Sequence, residues 1–259
     1  MLLNDKVVLI TGSSSGIGLA TARAAVAAGA KVILHGSSRG KLEAAARDLG
    51  AVPFVEANLA LPDAAERLAD EATAVHGRLD VLVNNAAIFP RTELDASDGA
   101  AFDRIFAINT RSPMLLSRRV IREMRARGAR GSIVNIGSVN AHSGQPDLLV
   151  YSMSKGALMT MTRNMADACA TDGIRVNQLN VGWTLTETEI ETQRAQGRPD
   201  DWQASLPRVF APAGRILLPE EVAQHVLFWG SDASAPVTGQ VYDVEQYTFL
   251  GRNVMSRVV

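Results

Sequence analysis

Cysteine is almost missing from this chain, with Cys169 alone among 259 residues. A single thiol cannot close an intrachain disulfide, so the fold cannot depend on an oxidising compartment. An excess of either charge is missing too. Lys and Arg number 26 and Asp and Glu 27, a formal net charge of −1, which leaves no global basic field to hold nucleic acid or an anionic membrane. Apolar runs such as Val7-Val8-Leu9-Ile10 fall far short of the ~20 residues a membrane helix needs, and no signal-peptide h-region precedes them. Aromatics make up only 5%, too few for an aromatic binding surface. His35, His76, His142 and His225 are scattered, with no H-x-x-x-H or Cys-His cluster, so no metal site is expected. These absences point to a soluble cytoplasmic enzyme that binds neither nucleic acid nor membrane.

What the chain does have is glycine, 21 residues, and a hydrophobic fraction of 47%. Short β-branched runs alternate with Ala-rich helical stretches. Strands are expected at Val7 to Thr11, Lys31 to His35, Pro53 to Asn58, Asp80 to Asn84, Ser132 to Ile136, Arg175 to Asn180 and Gln240 to Val244. Helices are expected at Gly18 to Ala28, Lys41 to Leu49, Asp63 to His76 and Tyr151 to Thr171. The strands read as continuously apolar, as they do when helices cover both faces of a sheet. The expected fold class is therefore α/β: a single-domain, doubly wound Rossmann-like fold, residues 1–259, with a mostly parallel seven-stranded sheet. Two regions break the rhythm. The helical stretch from Ser97 to Arg127 contains Pro113, which should kink or restart it. The segment 183–218 carries Pro199, Pro207 and Pro212 without a clear strand, and reads as a substrate cover or as a solvent-facing connection.

The first strand runs into Thr11-Gly12-Ser13-Ser14-Ser15-Gly16-Ile17-Gly18. Gly12 permits a sharp turn, Gly16 clears the approach of a pyrophosphate to the backbone, and Gly18 lets the helix pack closely on the strand. The helix N-terminus offers free amides and its positive dipole end to phosphate. The spacing G-x-x-x-G-x-G is not the commoner G-x-G-x-x-G, but its place after the first strand of a βαβ unit suits a dinucleotide. The second strand ends in His35-Gly36-Ser37-Ser38-Arg39, with no carboxylate for a ribose 2′-hydroxyl. The hydroxyls and Arg39 could hold a 2′-phosphate, which favours NADP(H) weakly over NAD(H); Arg39 reads equally as a solvated residue opening the next helix.

Tyr151-Ser152-Met153-Ser154-Lys155 places a phenol and an ammonium on one helix face. A neighbouring positive charge should lower the tyrosine pKa and give an acid/base for an alcohol–carbonyl pair. Ser138 ends the strand containing Ile133-Val134-Asn135-Ile136, where a serine side chain faces the ligand crevice or serves a turn.

With these residues in place, the chain resembles the classical short-chain dehydrogenase/reductase family from Lys6 to about Val244. The resemblance rests on T-G-x-x-x-G-I-G at Thr11 to Gly18, N-N-A-A at Asn84 to Ala87, Asn109, Ser138, Tyr151 and Lys155, in order. It implies Tyr151 as catalytic acid/base, Lys155 on the nicotinamide ribose and beside the phenol, Ser138 on the substrate oxygen, and Asn109 organising a water that leads from Lys155. It implies cofactor contacts from Gly12, Ser14, Ser15, Gly16, Ile17, Gly18, Ser37, Arg39, Asn58, Leu59, Asn85, Gly182, Thr184 and Thr186, besides Tyr151 and Lys155. Several positions depart from the family pattern. Ala87 replaces a glycine, Asn58 stands where Asp is common, and Val181 replaces the proline of P-G-x-x-x-T. Val244-Glu245-Gln246-Tyr247, leading on to Gly251-Arg252-Asn253, replaces an Asp-Gly-Gly turn.

Trp183 and Trp202 are candidates to line the substrate pocket or to form loop core, and His142 to border the substrate. Cys169 is expected to pack as a small apolar side chain. Met153, Met159, Met161 and Met165 surround the catalytic helix, so a partner subunit is expected on it; the resemblance implies a homo-oligomer, commonly a tetramer. The expected function is hydride transfer between NAD(P)(H) and a secondary alcohol or its carbonyl counterpart. The rival is a nucleotide-responsive binding protein of the same fold with little catalysis, which would have no need of the Tyr-Lys pair. A bound-NAD epimerase or dehydratase would be expected to carry a larger substrate domain. Sugars and polyols, 3-oxoacyl thioesters, steroids and small ketones stay open as substrates.

Overall fold

The computed structural model describes residues 1–91, 93–248 and 250; the Gly251-Arg252-Asn253 stretch lies outside the described residues. The β-branched runs form seven strands: β1 (Val7–Ile10), β2 (Lys31–Gly36), β3 (Phe54–Glu56), β4 (Val81–Asn84), β5 (Gly131–Ser138), β6 (Ile174–Val181) and β7 (Val241–Val244). The helices are α1 (Gly16–Ala27), α2 (Arg39–Asp48), α3 (Ala64–His76), α4 (Gly99–Phe106), α5 (Ser112–Ala126), α6 (Leu149–Cys169), α7 (Glu187–Ala195) and α8 (Pro219–Gly230). One sheet has the order β3-β2-β1-β4-β5-β6-β7, and every pairing in it is parallel. The chain winds outward from β1 in both directions. The order therefore reverses between β1 and β4, and a crevice opens there beyond the strand C-termini.

Successive strand residues point to opposite faces, and each face has its own helical cover. Val7, Leu9 and Leu82 pack with α3 and α5 residues such as Leu68 and Leu116. Val8, Ile10 and Val83 pack with α1, α2 and α8 through Ala22, Leu42 and Val226. Cys169 is buried on the first face, where a thiol packs as a small apolar group.

The expectation of continuously apolar strands fails in the second half of the sheet. Asn84, Asn135, Gln178 and Asn180 are all buried. Asn84 donates to Asn135 at 2.8 Å, Asn135 to Thr162 of α6 at 2.8 Å, and Thr162 to Gln178 at 3.0 Å. Gln178 then donates to Asn180 at 2.7 Å, and Asn180 to Asp243 at 3.1 Å. Burial of an amide is tolerated when it is hydrogen-bonded, and here each link supplies the next.

Pro113 acts as expected, through a particular device. Between α4 and α5 the helix widens into a π turn over Ala107–Arg111, which absorbs the missing proline N–H and the clash of its ring with the turn before it. The segment 183–218 is more regular than its prolines suggest. It holds α7 and a short 3₁₀ turn at Trp202–Ser205. Thr186 caps α7, its Oγ1 accepting from the Glu189 amide at 3.1 Å. The Thr186-x-x-Glu189 spacing is the start signal that marks this helix in the sequence.

Gly137 lets the polar chain pass. A methyl group there would stand 2.3 Å from Asn180 Oδ1 and 2.4 Å from Gln178 Nε2. Gly137→Ala is therefore expected to destabilise the protein by about 1–3 kcal/mol, read as a lower unfolding midpoint in urea. An unchanged midpoint would show that the amides can rearrange freely.

Candidate active site

The glycine-rich loop is built by close approach. Gly12 takes φ +63°, and a Cβ there would lie 2.9 Å from Ala86 Cα. A Cβ on Gly18 would lie 2.2 Å from the Gly12 carbonyl oxygen, so α1 can sit against the loop only because residue 18 has no side chain. The end of β4 clamps the loop from the side. Thr11 Oγ1 accepts from the amides of Asn85 and Ala86, and Asn85 Nδ2 donates to the carbonyls of Thr11 and Gly12 at 2.9 and 3.0 Å.

From below, His35 braces the same loop. Its Nδ1 accepts from the Gly12 amide at 3.2 Å, and its Nε2 lies 3.2 Å from the Ala57 carbonyl. A carbonyl accepts only, so Nε2 carries the proton and the ring is neutral. Burial pushes the His35 pKa down from 6.5 to about 4.

Above the loop lies a crevice of about 880 Å³, near the upper end for ligand sites. Gly12, Ser14, Ser15, Gly16, Ile17, Ser37, Asn58, Leu59, Asn85, Gly182, Thr184 and Thr186 line it, together with Ser138, Tyr151 and Lys155. Gly18, Arg39 and Asn109 do not. Gly18 packs under the loop as described. Arg39 is turned aside: its guanidinium meets Glu43 at 3.1 Å and Glu56 at 3.9 Å and lies 5.7 Å from the Phe54 ring centroid. Asn109 is buried in the π turn behind the crevice. Its Oδ1 accepts from the Ile88 amide at 2.9 Å, while Nδ2 donates to the Ile88 carbonyl at 2.8 Å and to Ser154 at 3.1 Å. It joins the loop after β4 to α6.

Do these residues fit a dinucleotide? The loop amide at Gly16 gives a direct answer. It donates to a Glu187 carboxylate oxygen at 3.0 Å, so the loop presents a donor that takes an anion, the role a pyrophosphate asks of it. At the adenosine end Gly36 leaves room beside Ser14, a Cβ there meeting Ser14 Oγ at 3.3 Å.

At the other end Tyr151, Lys155 and Ser138 come together. α6 carries Tyr151 and Lys155 one turn apart, and Lys155 Nζ lies 5.7 Å from the Tyr151 ring centroid. The buried ammonium donates to the Ile136 carbonyl of β5 at 2.8 Å. Burial lowers the Lys155 pKa to about 8. The Tyr151 pKa is raised by burial, which outweighs the opposing hydrogen bond with Ser138. This reverses the direction expected from the neighbouring ammonium: desolvation of the phenolate is the larger effect. Tyr151 accordingly holds its proton, and Ser138, at the end of β5, holds the phenol oxygen. The arrangement can deliver a proton to an oxygen bound beside Ser138.

Several lining residues escaped the sequence reading. Asn140, whose amide donates to Ser138 Oγ at 3.2 Å, lies two residues past that serine. Glu189, Gln193 and Arg198 come from the segment 183–218. Trp183 lines the crevice, but Trp202 does not; it is buried and stacked beneath Trp183 with ring centroids 5.0 Å apart. His142 turns away as well, to Asp243 at 2.9 Å and Asn180 at 3.0 Å.

Comparison with known proteins defines the class. Residues 12–246 match the family model described as enoyl-(acyl carrier protein) reductase. The chain is 35% identical over 245 residues to cis-4-hydroxycyclohexanecarboxylate dehydrogenase of Sinomonas cyclohexanicum, covering 93% of this chain and 95% of that one. Levodione reductase superposes with a TM-score of 0.87 at 29% identity, covering 94% and 97%. A putative NAD(P)-dependent gluconate 5-dehydrogenase from Beutenbergia cavernae, solved with NADP bound at low occupancy, superposes with a TM-score of 0.84 at 31% identity, covering 94% and 96%. An oxidoreductase on a dinucleotide-binding sheet is what the fold and crevice describe. The chain belongs to the short-chain dehydrogenase/reductase family, and it is an NAD(P)-dependent enzyme that interconverts alcohols and carbonyl compounds.

The neutral state of His35 has a measurable consequence. Its native pKa lies below the unfolded value, so the stability it contributes is complete above pH 6.5 and is lost as the pH falls towards about 4. The loss should reach about 3 kcal/mol. His35→Gln is expected to flatten this part of the stability–pH curve, followed by urea unfolding at successive pH values. An equal acid slope in variant and wild type would remove His35 as its source.

Proposed function

We propose that Tyr151, Ser138, Lys155 and Asn109 are the catalytic set of a secondary-alcohol dehydrogenase or ketone reductase. The observation that carries this reading is the meeting of Tyr151, Ser138 and Lys155 in the crevice beyond β5. The nicotinamide, when bound, supplies or accepts the hydride at the substrate carbon. Tyr151 gives the substrate oxygen its proton, or takes it in the oxidative direction. Ser138 hydrogen-bonds that oxygen and stabilises its developing charge. Lys155, its ammonium anchored on Ile136, holds the nicotinamide ribose hydroxyls and stabilises the phenolate once the proton has left. Asn109 organises a water on the path from Lys155 to solvent. Thr184, Thr186 and Gly182 hold the nicotinamide end, Ser14, Ser15, Gly16 and Ile17 the pyrophosphate, and Asn58, Leu59 and Asn85 the adenosine side.

NADP(H) is the preferred cofactor in this reading. Support comes from Gly36, where no carboxylate repels a 2′-phosphate, from the Ser14 and Ser37 hydroxyls that line this end, and from the NADP seen in one solved relative. Arg39 contributes after leaving its exposed pair with Glu43, a contact of small energy. Residues 1–259 act as one domain, with 183–218 covering the substrate. Leu149 and Met153 on α6 and Phe102 on α4 are exposed apolar side chains, which supports a homo-oligomer, a tetramer in this reading. The catalytic residues need no lipid, and no helix among the described residues is long and apolar enough to cross a membrane; we place the enzyme in the cytoplasm.

Tyr151→Phe is expected to lower kcat by about 10³-fold, within the usual range for a general acid/base, while cofactor titration still saturates. Turnover near wild type would overturn the assignment. Gly36→Asp is expected to shift the ratio of kcat/KM for NADPH over NADH towards NADH by at least about tenfold. A ratio that does not move would place 2′-phosphate recognition elsewhere.

A further inference from the structure

Two side chains of α7 leave hydrogen-bond acceptors over beside the crevice. Glu189 on α7 is buried, 7% exposed, and neutral groups hold it. Trp183 Nε1 donates to its Oε1 at 2.8 Å, and Gln193 Nε2 donates to the same oxygen at 2.5 Å. Gln193 lies one helical turn further on and is 2% exposed. Its amide orientation is decided by Glu189, because the reverse orientation would set the amide oxygen against a carboxylate oxygen. Gln193 Oε1 is therefore the atom turned away from Glu189, and it is buried with no hydrogen-bond partner among the described residues.

Both side chains line the same crevice as Tyr151 and Ser138. The Glu189 carboxylate has a second oxygen, Oε2, that takes neither of these two bonds. The pair thus offers acceptors, Gln193 Oε1 and Glu189 Oε2, to a group that donates. Beside it, the Trp183 ring rests on Trp202 and gives a flat apolar support for carbon-bound hydrogens. The exposed Arg198 guanidinium, 5.7 Å from the Trp202 centroid, lines the crevice as well.

We propose that Glu189 and Gln193 form an acceptor subsite for a second hydroxyl of the substrate, so that the enzyme works on polyhydroxylated alcohols or their hydroxyketone counterparts. The proposal rests on Tyr151 acting at the reacting hydroxyl of the same molecule. Hydroxyl recognition by buried polar groups discriminates strongly, since an analogue lacking the hydroxyl leaves those groups unpaired.

The test compares pentan-2-ol with pentane-2,3-diol, pentane-2,4-diol and pentane-1,4-diol, in the oxidative direction with NADP⁺. These alcohols share chain length and differ in whether, and how far away, a second hydroxyl sits. In wild type the kcat/KM of at least one diol should exceed that of pentan-2-ol by about tenfold or more. Gln193→Leu and Glu189→Gln should each reduce that ratio towards one, with thermal melting checking that each is folded. A wild-type enzyme that turns over all four without preference would overturn the subsite alone. So would a folded Gln193→Leu that keeps the full ratio; should that variant not fold, the same result from Glu189→Gln decides. Failure to oxidise any of the four with cofactor bound would overturn the reading of Tyr151, and the subsite with it.

Discussion

The contact between the backbone of Gly18 and the carbonyl of Gly12 governs the separation of the first helix from the sheet. With a separation of 2.2 Å from a notional Cβ, no other residue can stand there without moving α1. That placement decides where the α1 amides point and how deep the crevice is. The clamp from Asn85 and the brace from His35 act on the same few backbone atoms. Three neighbouring strands thus converge on one turn: β4 through Asn85, β2 through His35, and β3 through the Ala57 carbonyl just beyond it.

Desolvation dominates the chemistry at the far end of the crevice. A buried ammonium and a buried phenol both resist charging, so Lys155 is pushed down and Tyr151 up. The site rests with a neutral phenol beside a cation fixed on the Ile136 carbonyl. Ser138 belongs to this geometry twice over, since its Oγ also caps the 3₁₀ turn at Val139–Ala141 through the Asn140 amide.

Much of this architecture is readable in the chain because its signals are local. The Val7–Ile10 run with the glycines that follow it, and the Tyr151–Lys155 pair, are each contained within about a dozen residues, and the chemistry of each follows from that spacing. What escaped the sequence is long-range. His35 meets Gly12 across 23 positions and Glu187 meets Gly16 across 171, separations at which no periodicity operates. α7 escaped for a different reason: its Glu-Thr-Glu-Ile-Glu-Thr-Gln-Arg-Ala sequence has no apolar stripe, and only its cap announces it. Arg39 was placed on the correct element, but the carboxylates of Glu43 and Glu56 and the ring of Phe54 decide where its guanidinium rests.

The amide chain through the second half of the sheet has a direction. The amide bonds from Asn84 to Asn135, Asn135 to Thr162, Gln178 to Asn180 and Asn180 to Asp243 are all donated the same way. Thr162 shares its one hydroxyl hydrogen between the Gln178 amide oxygen and the Leu158 carbonyl, and the row ends on a carboxylate, which can only accept. The orientation of each amide is thereby dictated by a charge up to three strands away, and each bond polarises the next. Such a row changes as a unit. Reversing one amide, or exchanging one for an acid, sets two acceptors face to face and passes the conflict along the line, so these positions are free to drift during evolution only in concert.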